Sequence, residues 1–144
     1  MTESLHIVCP HCHTTNRVAQ ADLARAPDCG KCHQGLFPGT PLVLDAASFD
    51  RHIQRSQIPV VVDFWAPWCG PCLQMAPAFA QAASSLEPQA RLAKLDTEAH
   101  QAVAARFQIR SIPTMIVFRA GQEVARVAGA RSASDITRWV RSVV

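Results

Sequence analysis

The sequence lacks three features that mark common functional classes: an excess of charge of one sign, a long apolar run and a glycine-rich nucleotide-binding motif. Its 144 residues hold 14 Lys and Arg against 11 Asp and Glu, a formal net charge of +3. This near balance gives little electrostatic basis for binding nucleic acid or a membrane surface. No apolar run approaches the roughly 20 residues of a membrane span. Without the glycine motif, we expect no flavin or nicotinamide on this chain.

The first eight residues also lack the signs of an export signal. They carry no basic region, and their apolar stretch is too short for the core of a signal peptide. We therefore expect a cytoplasmic protein, and structural disulfides are rare in that compartment. Since 49% of the chain is apolar and 17% is charged, the composition indicates one folded domain, or one domain with a small module.

What the chain does have is six cysteines, all in Cys-x-x-Cys pairs. The first two pairs lie in residues 1–38, which are too poor in apolar side chains to form a core without a metal or a neighbour. Residues 37–41 hold two prolines and a glycine and are typical of a stiff connector. We predict a small domain at 1–38 and a larger one at 39–144. The large apolar residues of the first are Met1, Leu5, Ile7, Val8, Val18, Leu23, Leu36 and Phe37.

From residue 42 onward, strand patterns and helix patterns alternate. Continuous apolar runs indicate buried strands, and apolar residues three or four apart indicate helices. The expected order is βαβαβαββα, an α/β fold with a mixed central sheet and helices on both faces. The expected strands span 41–44, 58–66, 91–95, 114–118 and 123–127, and the expected helices follow Asp45, span 70–86 and 98–107, and follow Ser132.

The third cysteine pair, Cys69 and Cys72, lies where a buried strand ends and a helix begins. A helix start offers unpaired backbone N–H groups and the positive end of the helix dipole, which stabilise a thiolate. Two intervening residues, Gly70 and Pro71, leave the sulfurs close enough for a disulfide, and proline suits a first helical position. We predict that Cys69 is the exposed nucleophile and that Cys72, one turn further, is the buried resolving thiol.

Asp63 is the one charged residue in the apolar strand before this pair. Burial disfavours a carboxylate, so the pKa of Asp63 is expected to rise toward that of a useful general base. We predict that it takes a proton from Cys72. The alternative is a carboxylate at the edge of the strand, in solvent.

The segment Val62-Asp63-Phe64-Trp65-Ala66-Pro67-Trp68-Cys69-Gly70-Pro71-Cys72 resembles the active site of the thioredoxin family. The resemblance covers residues 42–144 and includes Ile112-Pro113-Thr114, Gly121, Gly129-Ala130 and Lys94, which falls where the family places a lysine beside the buried aspartate. It implies the thioredoxin fold and a protein-disulfide reductase that works by dithiol–disulfide exchange. It also implies a monomer that acts in cytosolic redox balance and oxidative-stress defence. Its implied partners are disulfide-containing proteins and an NADPH-dependent thioredoxin reductase.

The same resemblance implies a groove for the substrate backbone beside the sulfurs. It predicts a cis Ile112–Pro113 bond, with Gly70 and Pro71 supporting the site. Two departures from the common family pattern, Pro67 and Leu73, concern partner choice more than chemistry. The implied groove residues are Trp68, Ile112, Pro113, Gly129 and Ala130.

The first two pairs form the pattern C-x2-C-x16-C-x2-C, which is typical of a four-cysteine zinc site. Four thiolates complete a tetrahedron with no open position, so we expect one structural Zn²⁺. The alternative is two redox pairs or surplus thiols; it is disfavoured because neither pair is expected to follow an apolar strand or open a long helix. The predicted ligands are Cys9, Cys12, Cys29 and Cys32, and the neighbouring His6, His11, His13 and His33 are expected to be exposed and not to bind the metal.

A zinc module ahead of a thioredoxin-like region resembles one branch of that family, the zinc-containing second thioredoxins of bacteria. Cys9-Pro10-His11-Cys12 and Cys29-Gly30-Lys31-Cys32 carry this resemblance. Two further hypotheses stay open. The module could be a zinc-dependent binding unit with the redox region as its sensor, although its charges cancel and give no footprint for nucleic acid. It could also be a switch that ejects zinc and loosens on oxidation.

Overall fold

The computed structural model describes residues 3–144. Met1, counted above among the apolar side chains of residues 1–38, lies outside the described residues. The chain forms two β-sheets, one of two strands and one of five. The small sheet lies within residues 1–38 and the large one within 39–144. The division of the chain into these two domains stays a prediction.

The elements from residue 42 onward follow the predicted order βαβαβαββα. The small sheet adds two strands that the sequence pattern does not predict, because β2 carries a single large apolar side chain. The strands are β1 (Ser4–Val8), β2 (Thr15–Ala19), β3 (Leu42–Leu44), β4 (Val60–Trp65), β5 (Arg91–Asp96), β6 (Thr114–Arg119) and β7 (Gln122–Ala128). The helices are α1 (Phe49–Arg55), α2 (Gly70–Leu86), α3 (Gln101–Arg106) and α4 (Ala133–Val143), and a short 3-10 helix spans Gln20–Arg25.

The large sheet is mixed, as predicted. Its strand order is β3–β5–β4–β6–β7, with β3, β5 and β4 parallel to one another and β6 and β7 antiparallel to their neighbours. The carboxyl ends of β4 and β5 therefore share one edge of the sheet, and their amino ends share the opposite edge.

Alternate residues of β4 face two separate cores. Val60, Val62 and Phe64 belong to a cluster with side chains of α1 and α3, whereas Val61 belongs to a cluster with side chains of α2 and α4. The helices therefore cover both faces of the sheet, two on each. Because side chains alternate along a strand, Asp63 shares the face of Val61, which α2 covers.

Two helices begin later than the sequence pattern predicts, in each case because a side chain stabilises a turn first. Before α1, Asp45 Oδ1 accepts hydrogen bonds from the Ser48 backbone N–H at 2.8 Å and from its hydroxyl at 2.9 Å. Before α3, Asp96 Oδ1 accepts from the N–H groups of Glu98 and Ala99. Such side-chain bonds favour turns over helix. The last helix is capped as predicted, because Ser132 Oγ accepts from the Asp135 N–H.

Residues 3–37, here called the small sheet region, form a core only together with a residue of the large sheet region, Ile58. Ile7, Val18 and Leu36 are buried together with Cys9, Cys29 and Ile58, and Ile58 comes from the segment before β4. This is the neighbour that the poor apolar content of residues 1–38 requires.

Candidate functional site

The third cysteine pair lies at the carboxyl end of β4, where the chain turns into α2. Cys69 is the N-cap of α2, and its Sγ accepts the Cys72 backbone N–H at 3.3 Å. Pro71 occupies the first turn, where its missing N–H costs nothing. The two cysteines form a disulfide, with their Cα atoms 5.2 Å apart. Of the neighbouring side chains, Trp68 is 69% exposed.

The structure corrects the expected exposure of Cys69. Its residue surface is only 5% exposed, close to the 2% of Cys72, so both cysteines are buried in the disulfide form. The cause is packing that the local sequence does not contain: Trp65 and Ile112 pack against the two cysteines and Ala66. Cys69 Sγ lies 3.8 Å from the Ile112 carbonyl oxygen.

Asp63 is buried, as predicted, and the solvated alternative is wrong. The residue is 1% exposed, and neither carboxylate oxygen has a hydrogen-bond partner among the described residues. Burial raises the pKa of Asp63 to about 7, while the charge of Lys94 acts in the opposite direction. A carboxyl group with this pKa can both accept and return a proton near neutral pH.

Lys94 lies opposite Asp63 in the parallel pair of β4 and β5. Its Nζ sits 4.4 Å from the centre of the Trp65 ring, a cation–π contact. Within residues 3–144, no ion pair joins Lys94 to Asp63. The lysine therefore acts on the carboxyl group through its charge, and the aromatic ring holds that charge in place.

Two loops complete the edge of the site. The Ile112–Pro113 peptide bond is cis, as the family resemblance predicts. The Gly129 N–H donates to the Pro113 carbonyl oxygen at 2.9 Å, which ties the loop after β7 to the loop before β6. Gly129 has φ +99°, a backbone conformation that side chains disfavour, and both it and Ala130 are exposed. Gly70 and Pro71 are exposed on the helix start.

The first two cysteine pairs meet in a second centre. The sulfurs of Cys9, Cys12, Cys29 and Cys32 all lie within 4.8 Å of one another. Cys9 Sγ is 3.7 Å from Cys32 Sγ, and Cys12 Sγ is 3.6 Å from Cys29 Sγ. A tetrahedron with Zn–S bonds of about 2.3 Å has sulfurs about 3.8 Å apart. The four sulfurs therefore have the spacing of a metal tetrahedron.

Each of these pairs forms the same tight turn. Cys9 Sγ accepts from the His11 N–H at 3.3 Å, and Cys29 Sγ accepts from the Lys31 N–H at 3.4 Å. The Asn16 side chain also donates to Cys29 Sγ, at 3.4 Å. Such donors favour a thiolate, which is the form that binds a metal.

The thiols differ in how readily they ionise without a cation. Burial raises the pKa of Cys9 to about 12, whereas the Cys32 backbone N–H is the main cause that lowers the pKa of Cys29 to about 5. A cation bound among them would favour the thiolate at every position.

The expectation that neither of the first two cysteine pairs follows an apolar strand is wrong for Cys9 and Cys12. Cys9 does directly follow a strand, because β1 ends at Val8. The conclusion rests instead on the distances: Cys9 and Cys12 are both close to sulfurs of the other pair. Of the four nearby histidines, His6, His11 and His33 are exposed and His13 is half-buried.

The sequence analysis missed the side chain that joins the two regions, Arg91. It is fully buried at the first position of β5 and contacts residues of the small sheet region. The signal that identified Asp63, a single charge in an otherwise apolar strand, is absent from β5, because that strand also holds Lys94 and Asp96.

The two cysteine centres lie at opposite ends of the large sheet. Ile58 and Arg91, at the amino ends of β4 and β5, contact the small sheet region, whereas the Cys69–Cys72 disulfide follows the carboxyl end of β4. Six strand residues separate the two edges, about 20 Å at roughly 3.3 Å per residue. The four-cysteine centre is therefore separate from the Cys69–Cys72 disulfide.

A disulfide at a helix start, on the edge of a mixed sheet, is an arrangement that can support thiol–disulfide exchange. Comparison with known proteins gives the family. A sequence model of thioredoxin matches residues 40–142, and one described as "Thioredoxin 2, N-terminal" matches residues 8–34. The chain belongs to the thioredoxin family, and its fold is the thioredoxin fold.

Individual relatives support this membership. Thioredoxin C-3 of Corynebacterium nephridii is 45% identical over 134 residues, which are 93% of this chain and 92% of that protein. A bifunctional thioredoxin reductase/thioredoxin of Mycobacterium leprae is 42% identical over 106 residues, 74% of this chain and 23% of that protein. A solved mutant thioredoxin from Halobacterium salinarum matches with a TM-score of 0.66 and 29% identity, covering 74% of this chain and 92% of that one.

Thioredoxins are disulfide oxidoreductases, so this chain has a thioredoxin redox function. Within residues 3–144, no helix combines the length and the apolar character needed to cross a membrane.

Proposed function

We propose that this protein is a protein-disulfide reductase whose reacting sulfurs are Cys69 and Cys72. The observation that carries the proposal is their disulfide at the start of α2, on the same side of the sheet as buried Asp63. The disulfide is the oxidised form in which the protein ends the reaction, and the dithiol is the form that reduces the substrate.

The reaction transfers two electrons in two exchange steps. The Cys69 thiolate attacks one sulfur of a substrate disulfide, the substrate S–S bond breaks, and the released substrate thiolate takes a proton from solvent. Asp63 then accepts the proton of the Cys72 thiol, and the Cys72 thiolate attacks Cys69 Sγ. The mixed disulfide breaks, and the second substrate sulfur leaves as a thiolate that takes up the proton held by Asp63. The chain ends with the Cys69–Cys72 disulfide and an ionised Asp63.

Several side chains around the sulfurs have supporting roles in this proposal. Trp68, Ile112 and Pro113 form the apolar surface on which the substrate backbone lies, with Gly129 and Ala130 along its far side. Gly70 and Pro71 shape the helix start, and Lys94 moderates the pKa of Asp63. The exposure of Trp68 and the contact of Ile112 with the cysteines support these roles.

We further propose that an NADPH-dependent thioredoxin reductase returns the disulfide to the dithiol and that the substrates are disulfide-containing proteins. In support, the relative from Mycobacterium leprae is named a bifunctional thioredoxin reductase/thioredoxin, which joins the two functions in one chain. Cytosolic redox balance, oxidative-stress defence, a cytoplasmic location and a monomeric state complete the proposal, on the strength of family membership.

The four-cysteine centre is assigned one structural Zn²⁺. Its donor set is all thiolate, and its sulfur spacing fits Zn–S bonds in a closed tetrahedron, which leaves no open position for a substrate. The ion would supply cross-linking of the two turns, which a segment with a small core requires. Metal analysis of the purified protein tests the identity of the ion: one zinc per chain is expected, and a stoichiometric amount of another metal contradicts it.

The redox assignment is tested by exchanging single sulfurs in the two centres. Cys69→Ser is expected to reduce insulin disulfides at the background rate while it keeps its zinc, because the nucleophile is lost and the metal centre lies at the other end of the sheet. Cys32→Ser is the matched control: it should lose zinc and keep reductase activity within about twofold at 25 °C. Full activity in Cys69→Ser would overturn the proposal.

A further inference from the structure

The small sheet region is fastened to the large sheet along the outer edge of β1. The Gln57 N–H donates to the His6 carbonyl oxygen at 2.8 Å, and the His6 N–H donates to Gln57 Oε1, also at 2.8 Å. The Val8 N–H donates to Ser56 Oγ at 3.1 Å. The segment between α1 and β4 therefore acts as a third strand-like partner for the small sheet.

One buried cation lies at the centre of this interface. Arg91 Nη2 donates to the Leu36 carbonyl oxygen at 2.7 Å and lies 3.5 Å from the Val8 carbonyl oxygen. Its guanidinium carbon lies 5.0 Å from the centre of the Phe37 ring. Arg91 is 0% exposed, so these contacts replace part of the water that the guanidinium loses, while its Nε has no hydrogen-bond partner among the described residues.

A buried carboxyl group, that of Glu87, completes the arrangement. Arg91 Nη1 donates to Glu87 Oε2 at 2.6 Å, and the Gly39 N–H donates to Glu87 Oε1 at 3.2 Å. The side chain of Glu87 is 3% exposed. The pair thus binds two carbonyls of residues 3–37 through the arginine, and the glutamate holds the N–H of Gly39 in the connector.

The carbonyls that Arg91 contacts are fixed in place by the cysteine turns. Val8 directly precedes Cys9, and the Leu36 N–H donates to the Pro27 carbonyl at 2.9 Å, close to Cys29. Val8 directly precedes the first turn and Leu36 follows the second, and the two turns are joined where the four sulfurs meet. Arg91 can contact both carbonyls only while the turns are held together.

We propose that the Arg91–Glu87 pair is a docking receptor on the thioredoxin domain for the metal-loaded form of residues 3–37. The guanidinium recognises the two carbonyls that metal binding brings together, so metal loading and docking stabilise each other. Loss of the metal separates the carbonyls and leaves the pair buried without partners, which favours undocking. This inference rests on the proposed metal site.

The test uses the full chain and removes both charges together. Arg91→Met/Glu87→Gln keeps the side-chain volume and an acceptor for the Gly39 N–H, and such charge-free replacements of buried pairs commonly fold. The matched control is Arg106→Met/Asp50→Asn, which removes an ion pair at 2.9 Å whose members are about half exposed. Each protein is analysed for zinc content and for hydrogen exchange of the Gln57 amide, whose partner, His6, is unchanged in all of them.

Docking predicts slow exchange at Gln57 in the zinc-loaded wild type and in the control. Exchange is expected to be at least about tenfold faster in the chelator-treated wild type and in the zinc-loaded double variant. Zinc bound to the double variant with wild-type protection at Gln57 would overturn the receptor role alone. A wild type that holds no metal would overturn the metal assignment and the coupling together.

Discussion

The turn of Cys9 and Cys12 and the turn of Cys69 and Cys72 begin with the same hydrogen bond. In each, the backbone N–H of the second cysteine points at the sulfur of the first, at 3.5 Å in one turn and 3.3 Å in the other. After Cys12 the chain reverses at His13, which has φ 64° and donates its N–H to the Cys9 carbonyl. After Cys72 the chain continues as helix to Leu86.

The difference decides what the sulfurs can do. A reversing turn leaves both sulfurs at the tip of a loop, where a second such turn can meet them: His33, after Cys32, repeats the φ of 64°. A helix start instead brings its two sulfurs together and places free N–H groups beside the first of them. One spacing therefore serves a metal centre twice and a disulfide once, and the residue that follows each pair separates the two outcomes.

Among the substitutions that test this comparison, the largest expected effect is a loss of thermal stability when one ligand of the proposed zinc centre is removed. Cys29→Ser should lose stoichiometric zinc, and its Tm should fall by roughly 10 °C or more, because metal binding free energy is folding free energy in a segment with a small core. Scanning calorimetry with metal analysis measures both quantities.

The control for that experiment is Cys69→Ser, the same substitution at the same position of the third pair. It should keep the zinc, and its Tm should stay well above that of Cys29→Ser. Equal Tm values for Cys29→Ser and the wild type would mean that the metal does not hold the small sheet region together.

The next effect in size concerns Asp63, and it has a definite pH dependence. The pKa of its carboxyl is about 7 in the folded protein, against about 3.9 in an unfolded chain. Between those values the folded state binds the extra proton, so the free energy of unfolding falls as the pH rises from about 4 to 7 and levels off above. The total fall attributable to this group is roughly 4 kcal/mol.

Asp63→Asn should therefore be more stable than the wild type at pH 8 and similar to it at pH 5, as measured by urea denaturation. Glu87, whose pKa burial also raises to about 7, is present in both proteins, so its contribution cancels in the comparison.

Asp63→Asn should also resolve the mixed disulfide about 10- to 100-fold more slowly at pH 7, because Cys72 loses its base. Parallel pH profiles of stability in the two proteins would contradict the buried, proton-binding state of Asp63.

The sequence predicts the parts of this molecule that depend on neighbours along the chain. The segment from Val62 to Cys72 carries its own strand, turn and helix start, so the position of the third cysteine pair between β4 and α2 could be predicted. The clustering of the other four cysteines followed from their spacing, because each turn is only four residues long. The roles assigned to Asp63 and to the groove residues remain predictions.

The parts that could not be predicted depend on contacts between distant segments. Cys69 is buried because Ile112, from another loop, packs against it. Arg91 is buried because Val8 and Leu36 approach it from a segment whose docking no local pattern reveals. The strands β1 and β2 are stabilised by pairing with each other, and β1 is also paired with Gln57; neither strand has a strong pattern of its own.

The smallest effect expected is at the substrate surface, and it separates binding from folding. Trp68 is 69% exposed, so Trp68→Ala removes apolar surface that only a substrate would cover. The KM for a protein disulfide should rise about five- to tenfold, equivalent to roughly 1 kcal/mol of binding free energy, with Tm unchanged within about 2 °C. Steady-state kinetics with insulin and a thermal melt provide the two measurements.

Trp139→Ala is the matched control, because that tryptophan packs against the core between α2 and α4. It should lower Tm by several degrees, since a partly buried aromatic side chain is lost, and leave KM unchanged at a temperature where the protein is folded. If both variants change Tm and neither changes KM, Trp68 has a role in folding and the substrate contacts the disulfide from the Ile112 side alone. If KM rises only in Trp68→Ala, the exposed tryptophan and the buried disulfide beside it form one binding surface. The proposed zinc centre differs, because four cysteine ligands would leave it no position for a substrate.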